Sequence, residues 1–239
     1  MLNSLHCPLC LTSGPFKAVK GADKRSFWLC PSCQLIFADP AGHLSPEQEK
    51  AFYGTHQNTI ESAGYVTFLQ RLLTPALPFL KPSMKALDYG CGPGPVLSEL
   101  VQRHGLDCGN YDPFFAPETP RPPYDIVFAS ECFEHFHRPN QEIRRLLSLL
   151  APSGYLAIMT EQWQTEAAFA SWHYSKDPTH VVFFHQHSFD FICDHFGFRP
   201  RWQAFPSCTS TPPCARTWRN GSFRRCRSPG SMPTSRTCT

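Results

Sequence analysis

The sequence predicts an α/β domain built on a doubly wound, mainly parallel sheet, with a small metal-binding unit at its N-terminal end. Short apolar strands alternate with amphipathic helices from residue 84 to residue 195, which is typical of a parallel sheet covered by helices on both faces. Four cysteines in two Cys-x-x-Cys pairs lie within the first 33 residues. A length of 239 residues holds one such domain and a small appendage, and not two large domains.

The overall composition is that of a globular protein, with 41% hydrophobic and 17% charged residues. No apolar run approaches the ~20 residues that a membrane-spanning helix needs, so we expect no membrane partner. The residues after Met1 contain no basic stretch followed by an apolar one. A secretory signal is therefore not expected, and the cytoplasm is the predicted location.

The charge distribution argues against nucleic acid as a partner. The net charge is +3, but residues 201–239 contain seven arginines and no acidic residue. Residues 1–200 hold 15 basic and 19 acidic residues, a net charge of −4. The predicted folded part thus lacks the basic surface that binds nucleic acid.

The cysteine pairs predict a zinc ribbon over residues 1–40. The four residues are Cys7, Cys10, Cys30 and Cys33, with 19 residues between the two pairs. This spacing is typical of a closed, tetrahedral, structural zinc site, and short β-prone stretches surround the second pair. The alternatives are four reduced cysteines without metal and, less favoured by the spacing, a redox-active pair.

Residues 41–82 are expected to form a helical linker or lid, and residues 83–200 the main domain. Ser45 and Pro46 are typical of a helix start, and Tyr65, Phe68 and Leu72 recur at helical spacing. In the main domain the predicted strands are 84–89, 106–111, 124–129 and 155–160, and the predicted helices are 96–103, 141–150 and 188–195.

A glycine-rich turn after the first of these strands carries the strongest local signal. Asp88 precedes Gly90, Gly92 and Gly94, which permit positive φ angles and close approach of a ligand to the backbone. The sixth position of a dinucleotide fingerprint is occupied by Pro95, and the Gly-Lys-Ser/Thr of a P-loop is absent. The remaining pattern resembles the first motif of class I S-adenosylmethionine-dependent methyltransferases.

The resemblance extends over roughly residues 60–200. Asp112 ends the second strand and is placed to accept hydrogen bonds from ribose hydroxyls, although it could also cap the turn before Pro113. The stretch 124–131 resembles the family's fourth strand and its ligand-facing end at Glu131, which is otherwise a structural cap. Residues 134–136 resemble the Glu-His turn that follows, where His135 is expected to start a helix or to pack. In the stretch 149–158, Ala151 and Ser153 replace the usual Lys and first Gly.

This resemblance implies a Rossmann-like fold and S-adenosylmethionine as cofactor. The residues implied to bind the cofactor are Asp88, Gly90, Gly92, Gly94, Asp112 and Glu131. The family usually ends in two further strands, often an antiparallel hairpin at one edge. The N-terminal ribbon is similar to that of a subset that includes sugar methyltransferases.

One edge of the sheet is expected to be trimmed. Only eleven residues separate Asp112 from Tyr124, and five of them are proline. This segment is too short to hold a helix, a strand and a second helix.

The long connection 162–187 is expected to act as a lid over the carboxyl ends of the strands. His180 is the best candidate for a catalytic base, or else it hydrogen-bonds Asp177 and holds the lid. Trp172 and Tyr174 are expected to wall a substrate pocket or to plug the lid into the core.

Three further expectations concern individual residues and the activity. His185 and His187 are expected at the surface rather than on a metal, and Cys91 and Cys132 as small buried fillers. The predicted function is S-adenosylmethionine-dependent methyl transfer to a small-molecule acceptor, a small polar metabolite. The alternative is an inactive or weak methyltransferase-like protein that acts through its zinc ribbon as a binding module.

The segment 201–239 breaks with the rest of the chain. Residues 206–239 contain no Val, Ile or Leu, and they are rich in Ser, Thr, Pro, Arg and Cys. We expect a disordered tail, because such a segment buries too little apolar surface to offset its chain entropy. Our interpretation is a shift of reading frame near residue 200; the alternatives are a natural Arg-rich extension that binds a partner and a second metal site.

Overall fold

The computed structural model describes residues 5–55, 58–201 and 216–220. The strands in this part of the chain are β1 (Lys17–Val19), β2 (Phe27–Leu29), β3 (Ile36–Ala38), β4 (Lys85–Tyr89), β5 (Asp107–Tyr111), β6 (Tyr124–Ser130), β7 (Leu150–Met159), β8 (Val182–Phe183), β9 (Phe198–Arg201) and β10 (Arg216–Asn220). The α-helices are α1 (Pro46–Tyr53), α2 (Ala63–Ala76), α3 (Val96–Gln102), α4 (Pro139–Leu149), α5 (Glu166–Phe169) and α6 (Gln186–Phe196).

The main sheet has six strands in the order β5-β4-β6-β7-β10-β9. Strands β5, β4, β6 and β7 are parallel, and β10 is antiparallel to both of its neighbours. This confirms the predicted mainly parallel sheet. None of the helices in the described ranges is long and apolar enough to cross a membrane.

Helices cover both faces of this sheet, as the continuous apolar runs of its strands require. Alternate strand residues, such as Val127 and Phe128, face opposite sides. Val127 lies in a core with α4 and α6, whereas Phe128 lies in a core with α2 and α3.

Two helix starts illustrate how local sequence sets the boundaries. Ser45 caps α1 as predicted, with a reciprocal bond between its backbone and the side chain of Gln48. Helix α6 begins earlier than the predicted Ser188, because the ring of His185 accepts the backbone N–H of His187. Gly197 ends α6 at φ 76°, the left-handed conformation expected for this position.

Strand β7 begins five residues before the predicted Tyr155. Tyr124 pairs with Leu150, and Ile126 already pairs with Tyr155, so the residues between them form an irregularity in the ladder. Ser153 takes φ 66° within it. The residues between Leu150 and Tyr155 therefore belong to a strand with a β-bulge and do not form a separate loop.

The edge beyond β5 is short, as predicted. Within the described residues β5 is the outermost strand, and the segment after it forms an isolated bridge between Asp112 and Ala116. No helix forms between β5 and β6.

A second sheet joins the N-terminal unit to the predicted lid. Strands β1, β2 and β3 form an antiparallel meander, and β8 adds to β3 through the pairs Ile36–Phe183 and Phe37–Val182. The predicted ribbon and the predicted lid therefore share one four-stranded sheet.

The prediction of a tail without regular structure differs from the structure at one place. Arg216–Asn220 forms β10, in which Trp218 pairs with Leu156 of β7 and with Pro200 of β9. Backbone hydrogen bonds to two flanking strands form without any need for Val, Ile or Leu. Residues 202–215 and 221–239 lie outside the described residues, and the shift of reading frame stays a prediction.

Candidate functional site

A cavity of about 650 Å³ lies at the carboxyl ends of β4, β5 and β6. Its walls come from the turn after β4, the segments after β5 and β6, the region of α1 and α2, and the loop before β8. Parallel α/β sheets bind their ligands at this end. The cavity brings together five of the seven residues predicted to bind the cofactor or to act in catalysis.

The three glycines of the turn have three different reasons to be glycine. Gly90 and Gly92 take φ angles of 80° and 63°. A Cβ at Gly92 would have no atom within 4 Å, so it would project into free space beside the cavity, where a ligand can approach the backbone. A Cβ at Gly90 would lie 2.7 Å from Cβ of Cys132, and one at Gly94 would overlap the carbonyl oxygen of Asn58. Gly94 is thus required by packing and does not line the cavity.

Asp88 is buried at the end of β4 and does not line the cavity either. Its carboxylate interacts with the backbone of Ser98 in α3. Burial raises the pKa of Asp88 to about 7, against the lowering effect of this hydrogen bond. Asp88 therefore contacts the first turns of the helix that follows the glycines.

Asp112 lines the cavity and organises the backbone around it. Its Oδ2 accepts a hydrogen bond of 3.1 Å from the N–H of Gly92, and its Oδ1 accepts bonds of 2.8 and 3.0 Å from Phe114 and Phe115. The expected turn cap is therefore present. The same carboxylate fixes the glycine turn, and its role toward a ribose stays a prediction.

Two carboxylates, one partly and the other completely buried, line the cavity on the side of β6. Glu131 takes φ 46°, and its Oε2 accepts a 3.2 Å hydrogen bond from the hydroxyl of Tyr174. Glu134 is completely buried, and its Oε2 accepts a 2.7 Å bond from Thr160. The Oε1 atoms of both carboxylates have no hydrogen-bond partner among the described residues. Burial and the nearby Glu134 raise the pKa of Glu131 to about 9.

Two imidazoles face these carboxylates, with ring centroids 4.7 Å apart. Nδ1 of His135 lies 3.0 Å from the carbonyl oxygen of Thr179, and Nδ1 of His180 lies 2.7 Å from that of Tyr174. Because a carbonyl only accepts, Nδ1 of His180 carries the proton, and its neutral ring keeps a lone pair on Nε2. Burial lowers the pKa of His180, which favours this neutral form. Nδ1 of His135 lies 3.0 Å from the hydroxyl of Tyr53 as well as from the carbonyl of Thr179.

The predicted hydrogen bond between His180 and Asp177 is not formed. Nε2 of His180 lies 3.8 Å from Oδ2 of Asp177, which is too long for a hydrogen bond. Oδ1 of Asp177 instead accepts bonds from the N–H and the hydroxyl of Thr179. His180 is held by the backbone of Tyr174, and its Nε2 is available to a ligand.

The two aromatic residues of the lid belong to the core rather than to the cavity wall. Tyr174 is buried and bonds to Glu131 and Thr160 through its hydroxyl. Trp172 packs on Phe169 and donates from Nε1 to Glu161. This is the second of the two expectations stated for them.

Of the remaining residue predictions, some agree with the structure and others do not. His187 is exposed, whereas the partly buried His185 serves as the cap of α6. Cys132 is buried as predicted, but Cys91 lies in the cavity wall and is only partly buried.

Arg25 is a site residue that the sequence did not reveal. It lies between β1 and β2, and its guanidinium donates to the carbonyl oxygens of Ser175, Asp177, Pro178 and His180 at 2.6 to 3.2 Å. No motif surrounds Arg25, so only the fold brings it to the loop before β8.

The four N-terminal cysteines cluster as their spacing predicts. Their sulfur atoms all lie within 4.8 Å of one another, with 3.6 Å between Cys7 and Cys33 and 3.5 Å between Cys10 and Cys30. Tetrahedral zinc with bonds of about 2.3 Å places its sulfurs about 3.8 Å apart. Leu11 and Gln34, which follow the two pairs, both take positive φ and donate to the carbonyls of Cys7 and Cys30. The two cysteine pairs thus form equivalent turns that suit one zinc ion.

Comparison with solved structures finds methyltransferases. A SAM-dependent methyltransferase from Archaeoglobus fulgidus is 19% identical, with a TM-score of 0.46, and the match covers 65% of this chain and 99% of that one. For 1,6-didemethyltoxoflavin-N1-methyltransferase from Burkholderia thailandensis the identity is 13%, the TM-score 0.48 and the coverage 80% and 98%. For the CurJ carbon methyltransferase these values are 15%, 0.42, 65% and 54%, so this chain spans about half of that protein.

The family is shown by the match of this sequence to a family model. No curated protein matches this sequence. Residues 61–201, more than half of the chain, match the family model described as "Methyltransferase domain". The prediction of a methyltransferase is thereby confirmed: the chain belongs to this methyltransferase domain family.

Proposed function

We propose that the protein transfers a methyl group from S-adenosylmethionine to a small polar metabolite. The observation that supports this proposal is a single cavity whose two ends differ in chemistry. One end presents the glycine turn and Asp112, and the other presents Glu134 and His180. Glu131 lies near Glu134, and its contact with the cofactor stays a prediction. A cofactor and an acceptor placed at these ends would meet inside the cavity.

The first end suits the cofactor. Gly92 leaves room for close approach of a ligand, and Asp112 both holds the turn and presents its carboxylate to the cavity. S-adenosylmethionine, when bound, supplies a methyl group activated on a sulfonium. The protein then has to align the acceptor with this methyl group and to exclude water.

The second end suits an acceptor that carries hydroxyl or amino groups. Oε1 of Glu134 is buried without a partner among the described residues, and such an oxygen favours a ligand that donates a hydrogen bond. A nucleotide-linked sugar has such groups, in line with the ribbon-bearing subset that the N-terminal region resembles. Nε2 of His180 is placed to accept the proton of the acceptor while the bond to the methyl carbon forms.

The zinc ribbon has a structural role in this proposal. Four thiolates leave no open position on a tetrahedral zinc ion, so the ion itself does no chemistry. The ribbon supports the site by two contacts. Strand β3 pairs with β8, and Arg25 donates a hydrogen bond to the carbonyl oxygen of His180.

The direct test is calorimetry with S-adenosylhomocysteine. The wild-type protein should bind it, and Asp112→Ala should lose about 1.5–3 kcal/mol of binding free energy through the released hydrogen bonds. Mass spectrometry of ligands that copurify with the protein would identify the acceptor class. A folded, zinc-loaded protein that does not bind S-adenosylhomocysteine would instead favour the ribbon as a binding module.

A further inference from the structure

We propose that Glu134, His135 and His180 form a second metal site, which binds a divalent transition-metal cation at the acceptor end of the cavity. One ligand atom from each of these side chains lies within 4.8 Å of the other two. All three residues line the cavity. The site is separate from the cysteine cluster, and its existence does not depend on the identity of the acceptor.

The hydrogen bonds around the two imidazoles prepare them as ligands. Nδ1 of His180 donates to the carbonyl oxygen of Tyr174, and Nδ1 of His135 lies 3.0 Å from both the carbonyl oxygen of Thr179 and the hydroxyl of Tyr53. Histidines that bind metals almost always donate their other ring N–H to such an acceptor, which fixes the ring and leaves the second nitrogen free to coordinate. Nε2 of His180 is in this state, and Nε2 of His135 reaches it when its Nδ1 donates to Thr179.

The carboxylate of Glu134 supplies the third ligand. Its Oε2 is fixed by the hydroxyl of Thr160, while its Oε1 is buried without a partner among the described residues. Nε2 of His135 lies 3.9 Å from this Oε1, too far for a hydrogen bond. Two ligands that share a zinc ion at about 2.1 Å are about 3.4 Å apart, so a side-chain movement of well under 1 Å would bring these two atoms into range of one ion.

The cation would relieve an electrostatic cost that the fold otherwise carries. A buried, unpaired carboxylate oxygen is unfavourable, and Asp177 adds negative charge nearby, with its Oδ2 3.8 Å from Nε2 of His180. The guanidinium of Arg25, by contrast, is engaged with four backbone carbonyls. A divalent cation bound to two imidazoles and one carboxylate would neutralise this region.

Three protein ligands leave at least one coordination position toward the cavity. An oxygen or nitrogen of the acceptor would occupy it, and coordination lowers the pKa of such a group, so that its proton leaves to water. The cation would then bind the lone pair on Nε2 of His180, which would otherwise accept the proton of the acceptor. The two roles of His180 exclude each other at any one moment.

The test is a Co²⁺ titration of the full-length, zinc-loaded protein, followed by calorimetry and visible absorbance. We expect one further equivalent of Co²⁺, with the weak visible bands of nitrogen and oxygen ligands and without the strong near-ultraviolet bands of thiolates. Glu134→Gln, His135→Gln and His180→Gln should each weaken this binding by at least about tenfold. His137→Gln is the matched control, because His137 lines the same cavity but lies outside the three-residue cluster.

Two results would overturn the proposal: no Co²⁺ bound beyond the cysteine site, or unchanged affinity in folded variants. If the variants fail to fold, the absorbance of the wild type alone decides, since bands of thiolate ligands only would exclude the site. Calorimetry with S-adenosylhomocysteine on the same sample reports the proposed function separately.

Discussion

The guanidinium of Arg25, in the loop between β1 and β2, donates a 2.8 Å hydrogen bond to the carbonyl oxygen of His180. The side chain of His180 lines the cavity, so a residue of the N-terminal unit fixes the backbone of a candidate catalytic residue. Asp23 in turn pairs with Arg25 at 2.7 Å. The N-terminal unit therefore contributes to the candidate site and is more than an appended module.

Replacing Arg25 should damage the acceptor end while leaving the cofactor end intact. Arg25→Ala releases four carbonyls of the loop before β8, and we expect a loss of about 2–4 kcal/mol in the free energy of unfolding. Arg25→Lys should rescue it only in part, because an ammonium cannot span four carbonyls as a guanidinium does. Urea unfolding and turnover measure these effects, with exposed Lys24→Ala as control. Equal stability of Arg25→Ala and wild type would refute the role.

The glycine turn offers a pair of substitutions with different outcomes. Gly92→Ala should lower the affinity for S-adenosylhomocysteine, because the added methyl group enters the space beside the cavity. Its positive φ also costs about 1–2 kcal/mol of stability. Gly94→Ala should chiefly lower the melting temperature, because its Cβ overlaps the backbone of Asn58. Calorimetry and thermal melts separate the two; a Gly92→Ala protein with full affinity would contradict the assignment.

His180 is tested by two substitutions that differ in one hydrogen bond. His180→Asn keeps a donor near the carbonyl of Tyr174 but lacks Nε2, whereas His180→Ala loses both. Each should lower turnover by roughly 10²–10⁴, and His180→Ala should also lower thermal stability. Cofactor affinity should stay close to the wild-type value. Retention of full turnover by His180→Asn would show that Nε2 has no part in the reaction.

Removal of zinc should affect more than the N-terminal unit. Cys33 and Leu35 share a core with Ile143 of α4 and Phe189 of α6, so loss of the metal should also loosen that face of the sheet. We expect Cys30→Ser to lower the zinc content and the melting temperature. Cys193→Ser, outside the cluster, should leave the zinc content unchanged. Elemental analysis of freshly reduced wild-type protein that finds no metal would exclude the site.

Asp88 predicts a pH dependence of stability. Burial raises its folded-state pKa to about 7, above its ordinary value near 4. The ionised carboxylate is therefore unfavourable in the folded state. Its cost is absent below about pH 4, grows up to about pH 7 and is then constant at a few kcal/mol. Asp88→Asn should accordingly gain stability over wild type as the pH rises from 5 to 8. Exposed Asp107→Asn is the control, and a gain that does not change with pH would contradict the prediction.

The sequence predicts the main sheet well because its signals are local. The apolar strands and the glycine turn between β4 and α3 need only neighbouring residues to be recognised, and their bounds fall within one or two residues of the structure. Strand β7 is the exception, because its irregularity depends on the register with Tyr124 and Ile126.

The sequence does not predict the contacts that join distant segments. The pairing of β3 with β8 and the bonds of Arg25 link residues about 150 positions apart. Glu134 shows no distinctive pattern beyond its neighbour His135, and its importance follows from complete burial with one unpaired oxygen. Strand β10 was missed because its pairing comes from flanking backbones and not from its own composition.

The position of β10 between β7 and β9 sets the order in which the sheet can be completed during synthesis. Strand β9 leaves the ribosome first, yet in the finished sheet it reaches β7 only through β10. Until residue 220 has been made, β7 lacks its antiparallel neighbour, and an open strand edge is available to other chains. A nascent chain of this protein therefore keeps the edge of β7 open to other chains until β10 has left the ribosome.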